Sequence, residues 1–599
     1  MNRLFSLSIL ILAVFIGCSG GKEMSKPPMT LKEKFEQPET LEEMPKPILT
    51  LDELLSGSSL PAVYTAVYTA ADTSELDGGE TFKAYLEALV SSATENSSEE
   101  LAAELAVLQE IKKLPAENLN MASVLLRNYV VRRYGDAIVK DLQTMVGFRT
   151  YAEEGRENWM APEFVRQRDW LESRADELGL GFKTYDGRVD EFSLTGPEAV
   201  LAILTHGDVQ GVEGQEWSSS PWAGEIVDGK IIGRGTQDDK GAVVMTYYVL
   251  KALKDTGWEF NHTLKLIIAN AEESSWEEIS YYKERAPAHE YTIGIDGEYP
   301  VTHAQKGYGL LTLSSNKISK SSKKGEWTVL SMSGGFGGSI IPEKGEAIVA
   351  GVTNSLNRLT KLARAWENKH PPARFTLGPE KGNVKLIAHG ASGHSASPES
   401  GHNALGDLTA FLASLDLTPN SWGVLTMHLG KYIGSETDGA SWGIAHTDSV
   451  MGSMTTNLAI INVTDGNPTA IVNIRAPRGI TSKQVKAAVN KRIKKTNRKY
   501  GSTLSLSMRL GDYHFVPTDG KFVKTLLEVW EEVTGEPGEP IAIGGGTQAR
   551  LFPNGVDFGL STDDKHYRGH GADEYMKPEE LFMAAELTIS AILRLTTSE

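Results

Sequence analysis

The sequence predicts an α/β protein built on a mostly parallel central sheet, and three observations carry that prediction. From about Asn128 to the C-terminus, helical stretches alternate with short apolar runs, the order produced when crossover helices join strands. Three runs, at 199–205, 264–269 and 291–295, are almost continuously apolar, which suits strands buried on both faces of a sheet. Each ends in a polar cluster: His206-Gly207-Asp208, Glu272-Glu273 and Asp296. In parallel sheets ligands gather beyond the carboxyl ends of the strands, so the pattern places these groups on one rim.

At 599 residues the chain is long enough for about three to four units of ordinary size. Hydrophobic residues make up 40% and charged residues 23%, a globular composition. The 60 Lys+Arg are outnumbered by 78 Asp+Glu, giving a net charge of -18 that repels polyanions, so no nucleic-acid partner is expected. A basic stretch, 483–499, carries Val485, Val489 and Ile493 at helical spacing and is expected to be a helix with one buried face and solvated cations opposite.

The single cysteine excludes a disulfide framework and a thiolate metal cluster, leaving His and carboxylates as candidate metal ligands. Its position is informative. Arg3, the apolar run 4–16, Gly17 and Cys18 form a charged n-region, a short h-region and a small residue before the processing point. Phe15-Ile16-Gly17-Cys18 resembles the bacterial lipobox, whose cysteine becomes the acylated N-terminus. The resemblance implies a signal peptide at 1–17, a lipid-anchored protein of the bacterial cell envelope and, from Ser19, an outer-membrane position facing the periplasm. Residues 18–48, rich in Pro, Glu and Lys, read as a tether. Residues 49–127 read as an N-terminal helical extension of unknown role, with Leu101, Leu105, Leu108 and Ile111 at helical spacing.

A further cluster, 233–241 (GRGTQDDKG), leads into an expected helix with Val243, Val244, Tyr247, Leu250 and Leu253 on its apolar face and Gly257 as its stop. Asp238 then lies near the helix N-terminus, where the macrodipole favours a carboxylate.

Five motifs follow one another in order: His206-x-Asp208, Gly-Arg-Gly-x-x-Asp238-x-Lys-Gly, Glu272-Glu273, Asp296-Gly297-Glu298-Tyr299-Pro300 and His570-Gly-Ala-Asp-Glu574. Together they resemble the dinuclear metallopeptidases of the aminoacylase and carboxypeptidase type. The Asp-x-Glu-Tyr-Pro stretch with Lys306-Gly307 is most similar to bacterial dipeptidases of the PepV and Sapep type. The resemblance implies a phosphorylase/hydrolase-like catalytic domain, formed by 128–307 and 510–599 and interrupted at 308–509 by an α+β, ferredoxin-like lid. It also implies a metallo-dipeptidase acting on dipeptides with a free N-terminus, with an N-acyl-amino-acid deacylase or a carboxypeptidase as enzymatic alternatives. A peptide-binding or scaffolding lipoprotein is the non-enzymatic one.

Carried over position by position, the resemblance makes Asp238 a bridge between two divalent metal ions. His206 and Asp296 complete one site, and Glu273 and His570 the other; His566 is an alternative to His570. Zinc is the first expectation and manganese or cobalt fit the same nitrogen and oxygen donors. Two such cations, three carboxylates and one bridging hydroxide sum to zero charge, which lowers the cost of burial. Glu272 matches the general base that takes a proton from the bridging water, and Asp208 the carboxylate that orients the His206 ring. In the lid, His394 matches the residue that stabilises the oxyanion, and Arg475 the clamp on the substrate carboxylate. Gly545, Gly546 and Thr547 match a substrate-side glycine loop. Two positions depart from the pattern: Ser339, where relatives often carry Asn, and Val209-Gln210, where Val-Pro is usual.

Overall fold

The computed structural model describes residues 81–95, 99–316, 324–351, 355–561 and 567–597. The expected signal segment, Cys18, the tether, positions 49–80 and His566 lie outside the described residues. Among those described, no helix is long and apolar enough to cross a membrane. Two units are present: one holds the residues up to His303 with Val516–Ile541 and everything from Thr547, the other Ala304–Phe515 with Ala542–Gly546.

The first unit begins with helices α1 (Phe82–Glu95), α2 (Glu99–Glu110), α3 (Leu119–Val146) and α4 (Pro162–Leu178). Strands β1 (Gly181–Tyr185), β2 (Val189–Leu194) and β3 (Val200–His206) follow, then α5 (Lys240–Asp255), β4 (Thr263–Ala269), β5 (Tyr291–Gly294) and β6 (Val301–Gln305). After the second unit the chain returns as α6 (Lys521–Thr534), β7 (Gly555–Asp557) and α7 (Pro578–Thr596). The strands order as β1-β2-β4-β3-β5-β7-β6. The central neighbours β4-β3-β5-β7 are parallel and the flanking pairs antiparallel. The sheet is therefore mostly parallel where the rim clusters arise, as expected from the continuous apolar runs.

Every residue of β3 is buried, because its two faces feed different cores. Leu201 and Ile203 join a large cluster with residues of α1, α3, α5 and α7, whereas Val200, Ala202 and Leu204 join a smaller one with Ile279, Tyr282 and Phe552. Lys265, the cation inside an apolar run, is accommodated by its salt bridge to Glu191 at 2.9 Å, both side chains buried.

Helix α5 departs from its expected one-sided burial: from Lys240 to Leu253 every residue but Lys251 is buried. The reason lies in the N-terminal region. Helix α3 runs through the expected boundary at 127/128 and lies against α5, with Tyr247 and Tyr248 both donating to Asp141 at 2.8 Å. Phe82 of α1 sits edge-on to Tyr129 (5.4 Å between ring centres) and Trp258 (5.6 Å), and Tyr85, Leu86, Leu89, Leu105 and Leu108 are buried in the same core. The described part of the expected extension is thus core structure of the first unit.

The second unit is α+β, built on an eight-stranded sheet whose neighbours all pair antiparallel. Its strands alternate buried with half-exposed residues, as in Lys344–Ala350 and Asn383–His389, so one face carries the core. The helices Ser355–Glu367, Ala404–Ala413, Ser421–Tyr432 and Ser482–Tyr500 supply the rest of that core.

Candidate metal centre

His206 is the last residue of β3, level with Ala269 at the end of β4, and Glu272, Glu273 and Asp296 follow the ends of β4 and β5. Asp238 immediately precedes Asp239, the cap residue of α5. The folded chain brings these side chains together. Asp238 Oδ1 lies 3.0 Å from His206 Nε2, and its other oxygen, Oδ2, lies 3.2 Å from His570 Nε2. His206 Nε2 is 3.8 Å from Asp296 Oδ1, and His570 Nε2 is 2.9 Å from Glu273 Oε1. Asp238 therefore turns one oxygen toward each histidine. Donor atoms of His206, Asp238 and Glu273, and separately those of His206, Glu272 and Asp296, lie within 4.8 Å of one another and could hold a metal ion.

The electrostatics follow from crowding. Burial, reinforced by the Asp296 carboxylate, pushes Glu272 well above the usual carboxylate range. Glu273 and Asp296 are raised by burial and by neighbouring Asp238. Burial opposes a charged His206 ring, but the carboxylates around it outweigh that and raise it well above the usual imidazole value. His570 is pushed up to about 11, its partial burial outweighed by Asp238 and Glu273. Four carboxylates around two imidazoles, with nitrogen and oxygen donors only, form the chemistry of a divalent-cation site, and the residues fit such a group.

Asp208 differs from its expected role. His206 Nδ1 is 2.9 Å from the main-chain oxygen of Asp208 and 3.6 Å from its carboxylate. The carboxylate instead accepts from the backbone N–H groups of Glu272 and Glu273, each at 3.0 Å. One residue thus orients the histidine with its main chain and fixes the acidic pair with its side chain.

Several contributors were given no role of their own from sequence. Buried Glu574 accepts from the N–H groups of Gly235 (3.0 Å), Gln237 (2.9 Å) and Asp238 (3.1 Å) and pairs with Arg234 at 2.7 Å. It shapes the loop that presents Asp238. Gly235, at φ 88, is required there, since a Cβ would meet Val209 at 2.7 Å. Lys240 Nζ donates to the carbonyls of Met145 (3.0 Å) and Phe148 (2.6 Å), and burial lowers it to about 7. Gln210, one of the two departures, donates to Glu273 Oε2 at 3.0 Å. The Tyr567 hydroxyl donates to Asp238 Oδ2 at 2.5 Å. His570 itself has a left-handed backbone, φ 65, a conformation costly for a residue other than glycine and concentrated at functional sites.

Thr547 is buried, donates to Asp557 at 2.8 Å and lines the same cavity as His206, Glu272 and Asp296. Gly545 and Gly546 belong to the second unit, as do His394 and Arg475. Neighbouring Gly544 is packed so closely on Ala396 that a Cβ would lie 2.9 Å from it, whereas Gly545 has open space. His394 is exposed and its backbone bridges Ile340. Arg475 is buried, donating from Nη2 to Ser339 Oγ (3.0 Å), from Nη1 to the Gly544 carbonyl (3.3 Å) and from Nε to Asn473 Oδ1 (3.1 Å). Ser339, the other departure, is an arginine partner.

This geometry meets a sequence match that spans it: the profile of peptidase family M20/M25/M40 covers residues 202–594. The chain belongs to that family. A provisionally named dipeptidase of Staphylococcus aureus (strain bovine RF122 / ET3-1) is 28% identical over 476 residues, 78% of this chain and 99% of the relative. Human carnosine dipeptidase 1 resembles it in structure with a TM-score of 0.49 and 15% identity, covering 80% of this chain and 99% of the human one. The dipeptidase Dug1p of Saccharomyces cerevisiae gives 0.48 and 11%, covering 80% and 98%. As a member of the M20/M25/M40 peptidases, the protein is a hydrolase, and all five expected ligand positions converge within its first unit.

Proposed function

We propose that the protein is a metal-dependent dipeptidase acting on dipeptides with a free N-terminus, held at the cell envelope by an acylated Cys18. The observation that carries the reading is the split of Asp238 between two imidazoles, at 3.0 and 3.2 Å, beside the paired Glu272 and Glu273. The name of the Staphylococcus aureus relative supports the substrate class. The lipobox-like sequence at 15–18 supports the anchor.

His206, Asp238 and Asp296 would hold one divalent cation, and Asp238, Glu273 and His570 a second, zinc first among the candidates. Bound there, such cations supply Lewis acidity to the scissile carbonyl and to water. The chain's own residues do the rest. Glu272, with its peptide N–H fixed by Asp208, accepts the proton of the attacking water on a carboxylate oxygen and returns it to the departing amine nitrogen. Opposite charge beside Glu272 would favour its ionised form and so make it a base. Arg475 is proposed to recognise the substrate carboxylate and His394 to donate to the developing oxyanion.

The test is metal analysis of the purified protein alongside a panel of free and N-acetylated dipeptides. Free dipeptides should be cleaved, and Glu272→Gln should lower kcat by about 10²–10⁴-fold with metal content unchanged. Preference for the acetylated substrates would make the protein a deacylase. Full turnover in Glu272→Gln would remove that residue from the chemistry.

A further inference from the structure

The helix Ser482–Tyr500 contains Lys483, Lys486, Lys491, Arg492, Lys494, Lys495, Arg498 and Lys499 and no acidic residue. It buries Val485, Val489, Ile493 and Thr496. At 100° per residue, Lys483, Lys491, Lys494, Lys495 and Arg498 fall on the opposite side, forming an exposed stripe about 22 Å long. Elsewhere in the second unit several cations find carboxylates: Lys344 and Lys385 with Glu346, Arg358 with Glu326, Arg364 with Glu367, Arg478 with Asp448. Among the described residues, none of the helix's cations has such a partner within 4.0 Å; Arg492 donates to the Ser441 carbonyl and Lys499 lies over the Tyr500 ring at 4.7 Å.

This arrangement works against the helix itself. Lys491 and Lys494, Lys491 and Lys495, Lys494 and Arg498, and Lys495 and Arg498 are like charges three or four residues apart, each pair weakly destabilising. The helix dipole compensates only the last turn, at Arg498 and Lys499. The negative charge of the whole chain does not neutralise the stripe, because at physiological salt charges more than about 8 Å apart are largely screened from one another.

We propose that this face docks on an anionic phospholipid surface. Exposed ammonium and guanidinium groups gathered on one side of the helix complement a plane of phosphate headgroups. An acyl chain at Cys18 would raise the local concentration of that surface, and one lipid signal plus a polybasic patch is a stable form of attachment. The inference is independent of the hydrolase reading.

The experiment is co-sedimentation of the full chain with vesicles of phosphatidylethanolamine containing about one-third phosphatidylglycerol, against neutral phosphatidylcholine vesicles, at low and high salt. An acyl chain inserts into both, so the ratio of the two affinities isolates the charged face. We expect a preference for anionic vesicles that is lost at high salt and that falls at least about tenfold when Lys491, Lys494, Lys495 and Arg498 are all changed to Glu. The same four changed to Gln guard against misfolding and should give an intermediate loss, while Lys361→Glu with Lys369→Glu, exposed on and just after the helix Ser355–Glu367 of the same unit, should have little effect. Equal binding to both vesicle types, or an anionic preference unchanged in the quadruple variants, overturns the proposal. So does salt-sensitive binding to a single-stranded RNA oligomer, lost in the same variants, without binding to anionic vesicles.

Discussion

Asp208 shows how much one side chain can organise. Its carboxylate holds two consecutive peptide N–H groups, so it sets where Glu272 and Glu273 begin. Asp208→Asn keeps the size but replaces one acceptor oxygen with a donor, leaving one of those N–H groups facing an amide NH2. We expect metal affinity to fall about 10–100-fold, measurable by competition with a chelator, with a larger loss in kcat than in KM. Glu574→Gln should act likewise through a different ligand, since its carboxylate gathers three N–H groups of the loop that carries Asp238 and answers Arg234. Leaving Arg234 buried against a neutral amide is expected to cost stability as well, about 3–5 kcal/mol by denaturant unfolding. The five candidate ligand positions were picked out through the resemblance of their motifs to the metallopeptidases, and the fold brings them together. The roles of Asp208, Glu574 and Tyr567 were not, because a hydrogen bond across 64 or 336 residues leaves no local pattern.

At the level of elements, the second unit carries its own pH sensitivity. His428 is buried in Ser421–Tyr432, its Nδ1 2.9 Å from Thr496 Oγ1 and its Nε2 without a partner, and burial lowers it from 6.5 to about 3. The folded unit therefore keeps this ring neutral while the unfolded chain takes up a proton below about pH 6.5. The contribution to stability is fully present above that pH and shrinks as the pH falls toward 3, by about 1.4 kcal/mol per pH unit. Denaturant titrations between pH 7 and 5 should show this slope, and His428→Phe should flatten it. Helix α5 gives the complementary lesson about prediction. Its apolar face was correct, but the opposite face is buried too, because Tyr248 shares Asp141 with Tyr247 beneath α3. Amphipathic spacing identifies the face that must be buried and is silent on what covers the other.

For the whole molecule, the same helices redraw the boundary of the first unit. The expected boundary at 127/128 set 49–127 outside the catalytic domain, as a helical extension appended to it, yet Phe82, Tyr85, Leu86 and Leu89 are as buried as the strands of the sheet. Removing 81–113 should therefore expose the apolar surfaces around Tyr129 and Trp258 and lower the melting temperature of the remaining protein, with dye binding to the uncovered core. A deletion that left the melting temperature unchanged would restore the appendage reading. Three of the four parallel strands, β3, β4 and β5, were by contrast legible, because strands buried on both faces write continuous apolar runs, whereas the three-residue β7 is too short to write one.

The first unit is assembled from stretches on either side of the second, with β7 and α7 arriving only after residue 554. On the ribosome, the second unit is nearly complete as one uninterrupted stretch while the central sheet still lacks a strand and the core beneath α5 still lacks its last helix. Glu273 meets His570 only after 297 further positions have been synthesised, and Asp238 waits longer still. The nascent polypeptide is thus unable to bring its five candidate cation ligands together until the whole stretch from His206 to His570, second unit included, has been made.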